Sequence, residues 1–383
     1  MKNIVLLGAT GSIGESCLNV IRQNKKHFHL FGMGFGGNLD KAQKIAKEFN
    51  PEHIFVAESN IDKSHDLLQT YPNILNTADE LQELIQDPCV DIVISAISGF
   101  AGLRASYFAI DAGKKILIAN KESIVAAGDI LMPLAKIKNS EIIPLDSEHN
   151  AIHQCLPLQR NLNEISKIII TASGGPFREK SLKDLSSVTL EDALNHPTWS
   201  MGKKITIDSA TLVNKCLELI EAHYLFQIPE SQIEIVVHPQ SIIHSMVTFI
   251  DGSTIAQMSN PNMEVPIANA LGLENRLPIN FEPIDFPGLN LSFEPISDGR
   301  EIIFEIAREV CNKKGNLGVI FNAANEVAVD AFVNKNIHFV DIYKVIQRTF
   351  NCFSCSKVST LDDVFEYDKQ ARIQAEKVIK SLH

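Results

Sequence analysis

The chain has 383 residues, 45% of them hydrophobic and 21% charged, with a formal net charge of -11. This length exceeds one ordinary core, so two or three domains are expected, and the acidic balance speaks against a nucleic-acid partner. No apolar run approaches the ~20 residues of a membrane helix. Met1-Lys2-Asn3 leads straight into a strand without room for a signal peptide, and seven scattered cysteines suit a reducing cytoplasm.

Ile4-Val5-Leu6-Leu7 predicts a strand, followed at once by Gly8-Ala9-Thr10-Gly11-Ser12-Ile13-Gly14. Ile13, Cys17, Val20 and Ile21 then fall on one face of a predicted helix. This strand–glycine loop–helix unit is a variant of the dinucleotide fingerprint, in which backbone N–H groups meet a pyrophosphate at the helix N-terminus. Such turns also serve packing alone; its place at the first β–α turn favours the ligand. The second strand, Leu30 to Phe35, ends in Gly36-Gly37-Asn38. No acid stands there to hold a ribose 2′-hydroxyl, which favours NADP over NAD, and no Arg or Lys specifies the 2′-phosphate.

Strand-like runs at Ile54–Val56, Asp91–Ile94 and Ile116–Ile118 alternate with helical patterns at Leu39–Phe49 and Ala105–Ala112. Buried strands alternating with helices imply a Rossmann-like, doubly wound parallel sheet. Ser98-Gly99 and Asn120-Lys121-Glu122 stand at strand ends, where Lys121 is either a ligand contact or a surface lysine. Ile142-Ile143 predicts the last strand of this domain, running into Pro144-Leu145-Asp146-Ser147-Glu148-His149-Asn150. On an extended chain Asp146 and Glu148 project to one side, and converging hard oxygens suit Mg²⁺ or Mn²⁺. An isolated D-x-E is more often a solvated acidic loop, and only the other motifs of the chain favour the metal.

Beyond this point, Lys167–Ile170 predicts a strand ending in Thr171-Ala172-Ser173-Gly174-Gly175-Pro176, whose hydroxyl and N–H groups suit an anion. His196-Pro197-Thr198-Trp199-Ser200-Met201-Gly202 carries the only tryptophan in a Gly- and Pro-punctuated loop, which reads as a lid. Asp208-Ser209-Ala210-Thr211 reads as the cap of a helix on which Asn214, Lys215 and Glu218 share a face. That face resembles a phosphate site beside a metal ligand, although a plain Lys–Glu pair has the same spacing. After His238-Pro239-Gln240-Ser241-Ile242-Ile243-His244, hairpins are expected with turns at Asp251-Gly252 and Asn260-Pro261-Asn262. His238 and His244 read as structural histidines, and Cys352-x-x-Cys355 as two ordinary thiols. Glu274 to Asp298 reads as a linker, and helical patterns at Ile302–Cys311, Leu317–Asn334, Asp341–Phe350 and Asp363–Leu382 as a separate helical domain. The expected division is therefore α/β: a dinucleotide-binding Rossmann-like domain over 1–146, a central α/β domain over 147–273 carrying the anion- and metal-type residues, a linker over 274–298, and a C-terminal helical domain over 299–383.

Taken together and in order, these motifs resemble the 1-deoxy-D-xylulose 5-phosphate reductoisomerase family along the whole chain. The resemblance rests on the glycine loop, Ala119-Asn120-Lys121-Glu122-Ser123, Leu145 to Asn150 and Ser173-Gly174-Gly175-Pro176-Phe177. His196 to Gly202, Asn214-Lys215, His238 to Ser241 and Asn322-Ala323-Ala324-Asn325-Glu326 complete it. It implies a metal-dependent isomerisation of 1-deoxy-D-xylulose 5-phosphate, by retro-aldol cleavage and rejoining or by a 1,2-shift. NADPH-dependent reduction to 2-C-methyl-D-erythritol 4-phosphate, an isoprenoid precursor, follows. Asp146, Glu148 and Glu218 would be the ligands of a divalent Mn²⁺ or Mg²⁺. Ser173, Ser209, Asn214 and Lys215 would hold the phosphate, with His196 and Trp199 closing over it and Ser147 and Lys121 on the carbon chain. Lys121, Glu218 and His196 would form the catalytic set. Thr10, Gly11, Ser12, Ile13, Gly36, Asn38, Asn120, Glu122 and Gly202 would line the NADPH site. Gly37 stands where many members carry a basic residue, which implies weaker discrimination against NADH. The family further implies a cytoplasmic homodimer with no nucleic-acid or membrane partner.

Two other readings share some features. A metal-independent NADP dehydrogenase of the semialdehyde type also opens with Gly-Ala-Thr-Gly and needs a nucleophilic Cys near a His, as Cys155 is to His153. A non-catalytic NADP-sensing module would bind the cofactor and a protein partner.

Overall fold

The computed structural model describes residues 1–57, 74–157, 161–199, 201–272, 275–296 and 299–382. Ser200 and the ends of the expected linker, Glu274 and Asp298, lie outside the described residues, as does residue 273 at the expected domain boundary. The chain forms two compact units: residues 1–120, 133–150 and 262–282 make the first, and 121–132, 151–261 and 283–383 the second.

The first unit is built on strands β1 (Lys2–Leu7), β2 (Phe28–Phe35), β3 (His53–Val56), β4 (Ile74–Leu75), β5 (Ile92–Ser95), β6 (Lys115–Ile118) and β7 (Ile142–Pro144), all paired parallel in the order β4-β3-β2-β1-β5-β6-β7. These strands are apolar over most of their length, polar residues such as Lys2, Asn3 and Lys115 standing at their starts, as suits a sheet with helices on its faces. Ile4, Leu6, Ile94, Leu117 and Ile143 are fully buried, each contributing about 1.5–3 kcal/mol relative to exposure. Strand order reverses at β1, so the chain leaves β1 and β5 in opposite directions and opens a crevice beyond their carboxyl ends. The glycine loop emerges there, followed by the predicted helix over Ser12–Gln23.

Residues 262–282 return to this unit, which the expected boundaries at 146 and 273 do not anticipate. The expected hairpin turn at Asn260-Pro261-Asn262 instead precedes a helix, Glu264–Gly272, whose first turn Asn262 Oδ1 caps by accepting from the Glu264 N–H. Glu264 accepts hydrogen bonds from Asn19 at 3.0 Å and Gln23 at 2.9 Å on the Ser12–Gln23 helix. Leu277 and Ile279, expected in a linker, pack on the sheet's core. A Pro- and Asn-rich composition leaves no periodicity, yet these few apolar side chains are half-buried against the core.

The second unit carries a four-stranded sheet, β11-β10-β8-β9, from β8 (Ile165–Ala172), β9 (Ile233–Val237), β10 (Ile243–Phe249) and β11 (Thr254–Met258). The Asp251-Gly252 turn joins β10 to β11 as expected, with Gly252 at φ 85°. Against it lies the Val213–Phe226 helix, on which the preceding Lys203–Thr211 helix packs in turn. The C-terminal helices Glu301–Lys313, Leu317–Val333, Asp341–Phe350 and Leu361–Lys380 follow the predicted periodicity closely. They fall within the second compact unit, where the Glu301–Lys313 helix packs on Val213–Phe226 and Leu317–Val333 reaches Lys203–Thr211. No helix among the described residues is long and apolar enough to cross a membrane.

Candidate active site

In the first unit, Gly8 adopts φ 90°, and the N–H groups of Gly8 and Ala9 both donate to the Gly34 carbonyl at 2.9 Å. Gly11 is the N-cap of the Ser12–Gln23 helix without any side-chain cap, so the backbone donors of its first turn face the loop. A Cβ on Gly14 would stand 2.4 Å from the Gly8 carbonyl oxygen, so this position holds the helix tight against the strand. Gly11 and Ser12 are exposed, and Thr10 and Ile13 half-buried. Gly36 has open space around its Cβ position, whereas Asn38 is occupied locally, its side chain accepting from the Lys41 N–H at 3.1 Å to cap the next helix. Asn120 is buried and donates to the Gly99 carbonyl at 2.8 Å.

Asp146 follows β7, whose line continues through the Leu145 N–H to Ile118 O bond. The chain is not extended at Glu148, contrary to the expected geometry. Ser147–Cys155 is a helix, with Glu148 in its first turn and Asp146 just before it. Asp146 Oδ1 accepts from the Glu148 N–H at 3.3 Å, and Ser147 Oγ donates to Glu148 Oε2 at 2.5 Å. The two carboxylates stay at a strand end because the turn into the helix, rather than a β pleat, sets their directions.

In the second unit, Asp208 to Thr211 do not cap the following helix as expected. They form the last turns of Lys203–Thr211, and Leu212, in the left-handed region at φ 64°, joins it to Val213–Phe226. The shared face on Val213–Phe226 forms as predicted. Glu218, buried, accepts from Asn214 and pairs with Lys215 at 2.6 Å. Lys121 Nζ reaches Asn214 Oδ1 and Glu218 Oε1, each at 3.0 Å. Lys215 also donates to Thr171 O at 2.9 Å, which ties the helix to the end of β8 just before Ser173.

After β8, Gly174 (φ 81°) and Gly175 (φ 66°) turn the chain so that the Gly175 N–H donates to Ser173 Oγ at 3.2 Å. A Cβ on Gly175 would lie 2.8 Å from Ser209 O, so the turn presses against the segment carrying Ser209. His196 Nε2 lies 3.0 Å from Ser173 Oγ, while its Nδ1 accepts the N–H groups of Thr198 at 3.2 Å and Trp199 at 2.9 Å. These two donors leave Nδ1 unprotonated, so Nε2 carries the proton and donates to Ser173, whose own hydroxyl proton remains for a ligand. Burial, with the Lys215 charge adding to it, holds the imidazole down to about 4. Trp199 is half-buried, its ring 6.2 Å from that of His244, and Gly202 caps the next helix with nothing near its Cβ position.

Glu122 is buried and paired with Lys204 at 2.7 Å. Lys204 also holds Asp208 at 2.8 Å, and Asp208 Oδ1 accepts from Asn325 at 2.9 Å. Burial alone would raise the Glu122 carboxyl, but the Lys204 charge outweighs it and holds the group low. Burial also opposes the Lys204 charge, yet Asp208 and Glu122 together raise its affinity for the proton. The Lys204–Asp208 pair has the i,i+4 spacing of a helix, but the bond from Lys204 to Glu122 spans 82 positions and carries no sequence signal. Cys155 is buried and its thiol is pushed up to about 11 by burial, a backbone hydrogen bond offsetting this in part. It is therefore not a thiolate at neutral pH, which removes the nucleophile that a semialdehyde-type dehydrogenase requires.

Three family models match the chain. That for 1-deoxy-D-xylulose 5-phosphate reductoisomerase covers residues 4–128, and those for two C-terminal domains of the same enzyme cover 142–226 and 258–374. The chain is 42% identical over 385 residues to 1-deoxy-D-xylulose 5-phosphate reductoisomerase of Francisella tularensis subsp. novicida, covering 98% of each chain. It is 43% identical over 382 residues to that of Thermodesulfovibrio yellowstonii, covering 99% of this chain and 100% of the relative. Among solved structures, a reductoisomerase in complex with NADPH, fosmidomycin and magnesium aligns with TM-score 0.93 at 37% identity, covering 100% of this chain and 99% of the other. The Zymomonas mobilis enzyme in complex with NADPH aligns with TM-score 0.91 at 40% identity, covering 99% of each. With this agreement along its whole length, the chain belongs to the 1-deoxy-D-xylulose 5-phosphate reductoisomerase family.

Proposed function

We propose that the protein isomerises 1-deoxy-D-xylulose 5-phosphate and reduces the product with NADPH to 2-C-methyl-D-erythritol 4-phosphate. The observation that carries this reading is the single face bearing Asn214, Lys215 and Glu218, tied through Thr171 to the Ser173–His196 pair. Anion-binding and metal-type groups thus sit together on short-range bonds.

The residues suit both groups that the reaction needs. The uncapped Ser12–Gln23 helix and the close-packed glycines fit a pyrophosphate. No acid stands at Gly36-Gly37-Asn38 to repel a 2′-phosphate. We assign Thr10, Gly11, Ser12, Ile13, Gly36, Asn38, Asn120, Glu122 and Gly202 to this cofactor, with Glu122 acting from within its ion pair to Lys204. We assign Asp146, Glu148 and Glu218, whose carboxylates offer only oxygen donors, to a divalent Mg²⁺ or Mn²⁺ ion. When bound, the ion polarises the ketone and neighbouring hydroxyl oxygens as a Lewis acid, and NADPH supplies the hydride.

The chain's own side chains position the substrate. Ser173 offers its hydroxyl proton to the phosphate because His196 and Gly175 already fill its acceptor side. Ser209, Asn214 and Lys215 complete the grip, while Ser147 and Lys121 orient the carbon chain. His196 holds its loop through Nδ1, so phosphate binding at Ser173 draws the Trp199 segment over the substrate and excludes water. The seven cysteines, all without disulfides, support a cytoplasmic setting. The family resemblance supports a homodimer, which light scattering would test.

The assay follows NADPH absorbance with 1-deoxy-D-xylulose 5-phosphate, first with Mn²⁺ and then with excess EDTA. Oxidation that requires both the sugar phosphate and the metal is expected. No oxidation by folded protein with Mn²⁺ or Mg²⁺ present would overturn the reading and leave an NADP-sensing module.

A further inference from the structure

Arg300 is the largest fully buried side chain among the described residues. It stands at the N-cap of the Glu301–Lys313 helix, and no carboxylate among the described residues pairs with it. Its guanidinium instead donates to three backbone carbonyls. Nη2 reaches Phe177 O at 2.6 Å and Lys180 O at 3.3 Å, and Nη1 reaches Ala210 O at 3.4 Å. A buried guanidinium without a counter-ion is costly, so its retention calls for a role beyond packing.

Its acceptors belong to the two arms that the proposed function assigns to the phosphate. Phe177 and Lys180 follow the Ser173-Gly174-Gly175 turn, and Ala210 follows Ser209. The arms already touch, since a Cβ on Gly175 would meet Ser209 O at 2.8 Å and Ala210 Cα at 3.2 Å. Tyr343 adds a parallel bond from its hydroxyl to Thr211 O at 2.9 Å. A planar fork bonding to separate carbonyls sets distance and direction at once, which a lysine's point charge does not.

We propose that Arg300 is a positioning residue for substrate phosphate, pinning the Ser173 turn to the Ser209 segment across the C-terminal helices. It touches neither substrate nor cofactor. Its formal charge, paired with no carboxylate among the described residues, also favours a dianion over a neutral ligand at the cradle it braces. The inference rests on the proposed phosphate assignment of Ser173 and Ser209.

The test compares Arg300→Met, Arg300→Lys and Tyr343→Phe in the full-length protein. It measures kcat, the KM values for the sugar phosphate and NADPH, the melting temperature, and the Ki of inorganic phosphate. Loss of a charge-assisted bond predicts that Arg300→Met raises the sugar-phosphate KM and the phosphate Ki together by about tenfold or more. The NADPH KM should stay within about twofold. Arg300→Lys should recover part of the loss, and Tyr343→Phe should show the same pattern more weakly. If the NADPH and sugar-phosphate constants worsen in parallel with the melting temperature, Arg300 is structural only and the proposal fails. Should Arg300→Met not fold, unchanged phosphate Ki in both Arg300→Lys and Tyr343→Phe overturns it equally. Phosphate binding followed by calorimetry keeps the two readings apart: a wild-type protein that binds phosphate, with affinity lost in Arg300→Met, yet turns over no sugar phosphate sinks the enzyme assignment alone.

Discussion

Glu218 concentrates the chemistry of the site in one carboxylate that faces two lysines and an amide. Glu218→Gln keeps the shape but removes the charge a divalent ion needs. It should nearly abolish turnover while leaving the NADPH dissociation constant unchanged, as fluorescence titration would show; normal turnover would remove Glu218 from the metal site. His196 makes a different prediction. Its folded-state affinity for the proton is lowered from the ordinary 6.5 to about 4, first by burial. The unfolded chain therefore takes up the proton first as pH falls below 6.5. The stability tied to neutral His196 is present above that value and declines through the window down to about 4. Imidazole ¹⁵N shifts should titrate with a midpoint below 5, and a midpoint at the ordinary value would contradict the Nδ1 bonding to Thr198 and Trp199.

At the scale of elements, the first β–α unit shows why spacing alone was legible. Gly14 lies one turn into the Ser12–Gln23 helix, where any Cβ would press on the Gly8 and Ala9 carbonyls at 2.4 and 2.5 Å. Gly14→Ala must lift the helix from β1, at a cost of about 1–3 kcal/mol. It should lower the melting temperature and weaken NADPH binding; unaltered NADPH affinity would separate the loop from the cofactor. The helices of the second unit were read correctly by period and wrongly at one junction. Asp208-Ser209-Ala210-Thr211 has the composition of a cap, but Asp208 is drawn into a buried ion pair with Lys204 and a bond from Asn325, so it closes one helix instead of opening the next. The D-x-E argument named two carboxylates that do converge, but it assumed the wrong backbone. Local alternation assumed a strand, while the backbone had already turned into the Ser147–Cys155 helix.

For the whole molecule, the C-terminal helices complete the unit that carries Glu218. The Val213–Phe226 helix is buried at Val213, Cys216, Leu217, Leu219, Ile220 and Ala222, and the Glu301–Lys313 helix packs directly against it. A chain ending before residue 299 should therefore lose the cooperative unfolding of the second unit and be cut rapidly by protease within 161–261. A sharp thermal transition in that fragment would restore the idea of an independent helical domain.

The sequence by itself determined the parallel α/β order, the glycine loop at the first crossover, the helix periods, and the residue types that suit phosphate and metal. Each of these depends on neighbours within a turn or a strand, where pattern and chemistry coincide. Only the tertiary structure decided that 262–282 returns to the first sheet, that Lys204 joins Glu122 to Asp208, that burial silences Cys155, and that Arg300 reaches three carbonyls. Those outcomes depend on which distant segments share a dry interior, and burial there sets both the worth of each charge and its partner.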